Sequence, residues 1–229
     1  MPRTPSPAEP AQPAQPAPSV PSPSRSPSPV NRRYHHGDLR AALLRSAERT
    51  LREKGAGALS LRELARDLGV SHAAPGRHFK DKQALLDALA LDGYERLAAA
   101  LEAADRPEAA LEQRLTGLAK AYVGFAVENA ALLELMFTRK HDPEASAQLA
   151  DAVDRSVGAF MRLVADAQAR GEIVAGDPER VTLVAASSLH GLAAFAANGS
   201  IPPEQVLTGL DEHVHHLLHG LAPRRPPGA

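Results

Sequence analysis

The sequence predicts an all-α fold of about nine helices, and three observations carry that prediction. Apolar residues recur at three- and four-residue spacing from residue 37 onward, and no stretch alternates convincingly with period two. Aromatic residues are 3% of the chain and Trp is absent, so the core must be aliphatic; strands favour aromatic and β-branched side chains. The periodic stretches are separated by caps, glycines and prolines only a few residues apart.

Taken in order, the first helix spans about residues 38–54, with Leu39, Leu43, Ala47 and Leu51 on one stripe. Asp38 is placed to cap it, and Gly55 to end it in a left-handed conformation. The second begins with Ser60-Leu61-Arg62-Glu63, a capping-box pattern, and ends at Gly69. Ser71 opens a short third helix to Phe79, and Asp81 a longer fourth to about residue 104. The fifth carries Leu111, Leu115, Leu118, Tyr122 and Phe125, and the sixth covers about 130–138. Asp142-Pro143 is read as the opening of the seventh, with Leu149, Val153, Val157, Phe160 and Val164 along it. The eighth opens at Asp177-Pro178 and ends near Asn198-Gly199. The ninth runs from about 203 to 221, aligning Val206, Leu210, Val214, Leu217 and Leu221.

The 229 residues suffice for one or two domains, and 44% hydrophobic content for a substantial core. Without Cys, disulfides, thiolate metal sites and cysteine nucleophiles are excluded. The net charge of −1 hides an asymmetry: residues 1–30 sum to +1, residues 31–82 to +6 and residues 83–229 to −8. A compact basic segment on an acidic remainder suits a polyanion at one end. Residues 1–30 hold 11 of the 20 prolines and six serines, which reads as a disordered tail with polyproline-II character. No signal peptide is read there. Residues 181–203 lack Asp, Glu, Lys and Arg, yet Thr182, Ser187, Ser188, His190 and Asn198 favour a buried helix over a membrane span. The expected chain is soluble and cytoplasmic.

Gly69-Val70-Ser71 joins the second and third helices as the turn of a helix-turn-helix would. In that motif the second helix offers its N-terminal residues to base edges in the major groove, and its amides to a phosphate. The +6 segment supplies the sequence-independent attraction. The stretch Ser60-Leu-Arg-Glu-Leu-Ala-Arg-Asp-Leu-Gly-Val-Ser-His-Ala-Ala-Pro-Gly-Arg-His-Phe79, followed by Lys82 and Leu85, resembles the DNA-binding signature of TetR/AcrR-type regulators. Tyr34-His35-His36-Gly37-Asp38-Leu39-Arg40 is similar to one subgroup, and Leu189-His190-Gly191-Leu192-Ala193 to its WHG-type ligand-binding domain, with Leu where Trp is usual. The resemblance covers about residues 34–220.

It implies a homodimer that binds a palindromic double-stranded DNA operator and releases it on binding a small effector of unknown identity, hence a repressor and not an enzyme. No cofactor and no membrane partner are implied. The implied organisation is a Pro/Ser-rich disordered tail over 1–33 and a DNA-binding headpiece over 34–97, with the helix-turn-helix at about 60–79. A ligand-binding and dimerisation domain follows over 98–222, and a disordered end over 223–229. By position, Ser60 and Lys82 fall where the family meets phosphates, and Ser71, His72, Ala74, Arg77 and His78 along the recognition helix. Gly76 stands where the family usually has a Tyr that contacts the DNA backbone.

The effector pocket is expected among the fifth to eighth helices, lined by Phe125, Met136, Phe137, Phe160, His190 and Phe195. The small-residue faces of the eighth helix and the apolar stripe of the ninth are expected to form the two-fold interface. His213, His215, His216 and His219 invite a metal site, and His215 and His219 are i,i+4 neighbours. With no Cys and no second carboxylate cluster nearby, they read as a polar helix face, so no metal site is assigned. Ser187, Ser188 and His190 lack a nucleophile elbow, and His141-Asp142 is a lone pair. The competing reading is a helical metal- or protein-binding module whose headpiece no longer binds DNA productively.

Overall fold

A computed structural model describes residues 39–221. The tail, residues 34–38 of the 34–40 motif with the expected Asp38 cap, and the 223–229 end lie outside the described residues. Among the described residues there are eight α-helices, two 3-10 turns and no strand.

Helix α1 (Leu39–Lys54) buries Leu39, Leu43, Ala47 and Leu51, the predicted stripe. Gly55 follows with φ 78° and ψ 170°, a positive φ but not the compact left-handed helical well expected of it. Helix α2 (Leu61–Asp67) starts after Ser60, whose backbone is extended as an N-cap requires. The capping box, however, is not made: no bond reaches the Ser60 side chain, and Glu63 instead pairs with Arg66 at 3.6 Å. The helix ends in a Schellman motif, with Gly69 N–H donating to Arg66 O at 3.1 Å and Val70 N–H to Ala65 O at 3.0 Å. Gly69 supplies the left-handed φ of 66°.

The predicted third helix over 71–79 is corrected. The chain makes a turn, with Ala74 N–H donating to Ser71 O at 2.9 Å, and then a three-residue 3-10 turn, Pro75–Arg77. In a helix opening at Ser71, Pro75 would sit past the first turn, without the N–H that should bond Ser71 O. Gly76 beside it lowers helix propensity by about a further 1 kcal/mol relative to Ala. Pro75 therefore starts the helical turn, as proline at a first position does.

Helix α3 (Lys82–Ala104) is capped as expected, Asp81 Oδ1 accepting from Ala84 N–H at 2.8 Å. It is the central rod, packing on α1, on α4 (Leu111–Glu128), on α5 (Ala130–Lys140) and on α6 (Ala147–Ala169). Gly93 lets α5 approach: an added Cβ would lie 2.6 Å from Met136 Sδ. Helices α4 and α5 meet at 103°, separated by Asn129 alone. Arg96 of α3 holds that corner, donating to Asn129 Oδ1 at 2.5 Å and to Glu48 of α1 at 3.0 Å.

Helix α6 opens at Ser146, whose hydroxyl accepts from Leu149 N–H at 3.3 Å, and not at Asp142-Pro143. Asp142 instead folds a turn by accepting from Glu144 N–H at 2.8 Å, and its other oxygen is taken by Arg139. Arg139 and Asp87 are the reason. Both are buried, at 3% and 6% exposure, and Arg139 Nε donates to Asp87 Oδ1 at 2.7 Å. Arg139 Nη2 lies 2.5 Å from the same oxygen without a further aligned hydrogen bond. Asp87 Oδ2 accepts from Ser146 N–H at 2.7 Å, which draws the start of α6 onto α3.

Helix α7 (Pro178–Ala197) is capped by Asp177, which accepts from Glu179 N–H at 3.0 Å. It is long and apolar enough to cross a membrane by length and composition, and it packs against α4, α6 and α8 (Pro203–His219). Its outer face leaves Leu183, Val184 and Phe195 at 65%, 64% and 49% exposure. The stripe of α8 is a second correction. Val206, Leu210 and Val214 are buried in the chain's own core, on the helix that packs against α4, so they are not free to form a seam with another copy.

Candidate functional site

Two regions hold the candidate residues. In the first, Ser71, His72, Gly76, Arg77 and His78 are all exposed on the turn between α2 and α3, and Ala74 is half-buried. Buried Pro75 and Phe79 pin that turn to the core from beneath. Gly76 has open space where a Cβ would stand. Ser60 and Lys82 are half-buried beside it, and Lys82 Nζ donates to Gly57 O at 2.9 Å. An ammonium has three donors, so two remain for an anion. Because 71–79 is no α-helix, aligned helical amides do not reinforce anion binding there; the cationic side chains carry it. Sequence reasoning passed over Arg40 of α1, an exposed cation whose guanidinium lies 5.5 Å from the Phe79 ring centroid. Its position four residues before Leu44 gave no hint of that contact.

In the second region a cavity of about 270 Å³ lies among α4, α6, α7 and α8. Leu115, Leu118, Leu163, Val184 and Leu217 represent its aliphatic lining, Phe160 adds a ring, and His213 is its one polar lining side chain. His213 Nε2 pairs with Ser188 Oγ at 2.9 Å. Burial, and secondarily the charge of His216, pushes the His213 imidazole below its ordinary pKa, so the ring is neutral near pH 7.

Of the six residues expected at the pocket, only Phe160 lines this cavity. Phe137 and His190 come together elsewhere, their rings stacked with centroids 4.1 Å apart, and Tyr122 OH pairs with His190 Nδ1 at 2.9 Å. Burial first, and then the charge of Lys140, lowers the His190 pKa. Burial also raises the phenol pKa of Tyr122. Phe125 and Met136 are buried in the core, and Phe195 sits on the exposed face of α7.

Comparison with known proteins gives consistent results. Residues 43–89 match the family model described as bacterial regulatory proteins, tetR family. Residues 115–221 match the model for a tetracyclin repressor-like C-terminal domain. HTH-type transcriptional regulators of Mycobacterium tuberculosis and Mycobacterium bovis are 31% identical over 148 residues, a match spanning 62% of this chain and 62% of theirs. A structure of a protein of unknown function from Rhodococcus sp. RHA1 is 46% identical, covering 82% of this chain and 98% of that one, with a TM-score of 0.71. A tetR-family regulatory protein from Rhodococcus RHA1 is 26% identical, covering 79% and 95%, with a TM-score of 0.64.

Proposed function

Since the chain belongs to the tetR family of bacterial regulatory proteins, a family of transcriptional regulators and not of enzymes, we propose that it is a cytoplasmic repressor that binds a palindromic operator as a homodimer. The observation that carries this reading is the exposed turn with Ser71, His72, Arg77 and His78, held by buried Pro75 and Phe79 within the +6 segment. Phosphate attraction comes from Lys82, Arg77 and Arg40, and base contact from Ser71, His72 and Ala74. Exposed Leu183 and Phe195 on α7 supply the apolar seam between copies. The cavity takes a small apolar effector that orients one polar atom toward neutral His213. The effector binds better to a state whose headpieces are wrongly spaced for successive major grooves, and so shifts the population off DNA.

The test is selection of duplexes from a randomised pool, followed by affinity at three salt concentrations for wild type and variants. An inverted repeat is expected, bound more weakly as salt rises. Lys82→Ala is expected to weaken binding and flatten the salt slope by about one unit. Gly76→Tyr, with room for its Cβ, is expected to add a phosphate hydrogen bond and raise affinity several-fold, with the slope nearly unchanged. Enrichment of no duplex would overturn the reading. Loss of binding in Gly76→Tyr would show that backbone at this turn meets DNA too closely to admit a ring.

A further inference from the structure

We propose that Glu112, His215 and His219 form a binding site for one divalent transition-metal ion of the zinc, cobalt or nickel type, joining the start of α4 to the end of α8. Glu112 lies in the first turn of α4, and the two histidines occupy successive turns of α8. His215 Nδ1 is 3.0 Å from Glu112 Oε1, and His219 Nε2 is 3.3 Å from Glu112 Oε2. One ligand atom from each residue falls within 4.8 Å of the other two. The two rings stand with centroids 4.6 Å apart.

These separations put three ligating groups within side-chain reach of one ion. Bonds of about 2.0–2.2 Å in a tetrahedron place neighbouring ligand atoms about 3.3–3.5 Å apart. The two histidines meet different oxygens of Glu112, so side-chain rotation must close separations of up to 4.8 Å around the ion. Two imidazole nitrogens with one carboxylate select zinc, cobalt or nickel over magnesium and calcium, which require oxygen donors. The fourth position faces solvent, since Glu112 and His215 are only half-buried and His219 is exposed. The neighbouring histidines are engaged elsewhere: His213 with Ser188 at 2.9 Å and His216 with Glu212 at 3.5 Å. The three ligands also flank the cavity. Leu111 precedes Glu112, and Leu217 and Leu218 lie between His215 and His219; all three leucines line the cavity wall. A bound ion therefore fixes one end of that wall.

The experiment uses the full metal-stripped chain at pH 7.5, titrated with Zn²⁺ by calorimetry and with Co²⁺ by visible absorption. One ion per chain is expected, with a dissociation constant in the micromolar range or below, a tetrahedral Co²⁺ spectrum and a raised melting temperature. His215→Ala and Glu112→Gln are each expected to weaken binding roughly tenfold or more. His216→Ala is the control and is expected to leave it unchanged. All three side chains lie at the surface, so far-UV circular dichroism is expected to stay native. An affinity unchanged in His215→Ala and Glu112→Gln, or no uptake at millimolar Zn²⁺, overturns the site. The readout is independent of operator binding, so failure of one proposal leaves the other standing.

Discussion

The α3–α5–α6 junction and the α4–α7–α8 end are built from the same aliphatic residues and reach opposite outcomes. At the junction Leu85, Leu89, Leu132, Leu133 and Met136 are buried, and the charged groups among them are paired. At the other end a cavity persists, and Leu183 and Phe195 face outward. The difference lies in coverage, since α3 buries eight of its residues and α7 only three. Apolar content alone therefore does not close a helix bundle. One end of this molecule is fixed by an ionic lock, and the other keeps uncovered apolar surface.

Four changes probe that contrast, ordered by their expected effect on stability. Asp87→Ala removes one partner of the buried pair and strands the Arg139 charge; it is expected to cost about 3–5 kcal/mol in denaturant unfolding. A loss under about 1 kcal/mol would show that water or Asp142 satisfies Arg139 instead. Glycine replacement should change sign between the two ends. Gly93→Ala drives a methyl against Met136 and is expected to destabilise by about 1–3 kcal/mol. Gly209→Ala, at an exposed position of α8, meets nothing within 4 Å and is expected to stabilise by up to about 1 kcal/mol. Equal shifts for both would erase the distinction.

Leu183→Glu alters a side chain already 65% exposed, so the single chain should lose no more than about 0.5 kcal/mol. In sedimentation at micromolar concentration the same change is expected to convert a dimer to a monomer, because it places a charge in an apolar seam. A dimer that survives it would put the seam elsewhere. The smallest effect is that of pH. His190 is held below its ordinary value of about 6.5, so the unfolded chain takes up its proton first as pH falls. Stability is thus full above about 6.5 and declines between that value and the depressed one. Melting temperature is expected to be lower at pH 5.5 than at 7.5, with the difference reduced in His190→Gln.

The helices were largely legible because a stripe repeats within each of them. Leu39, Leu43, Ala47 and Leu51 announce α1 without any partner, and Asp81 and Asp177 cap where their side chains suggested. The segment 71–79 was misread because Ser71 looks like a cap, whereas Pro75 decides where helical bonding starts. Periodicity says which face is apolar but not what covers it. That is why the α8 stripe was assigned to a second chain, and why aromatic residues were chosen for a cavity lined mainly by Leu and Val. Glu112 stands 103 residues before His215, so no local spacing could join them. The Asp87–Arg139 pair, 52 residues apart, was hidden for the same reason.

The corner at Asn129 has a mechanical consequence. With one residue between two rods set at 103°, there is no slack to absorb a twist. Were the proposed effector to wedge α4 away from α8, the one-residue corner would pass that movement to α5, as a bell crank turns a push through a right angle. The arm that swings rests against α1 and α3, the two helices that carry Arg40 and Lys82 beside the exposed turn.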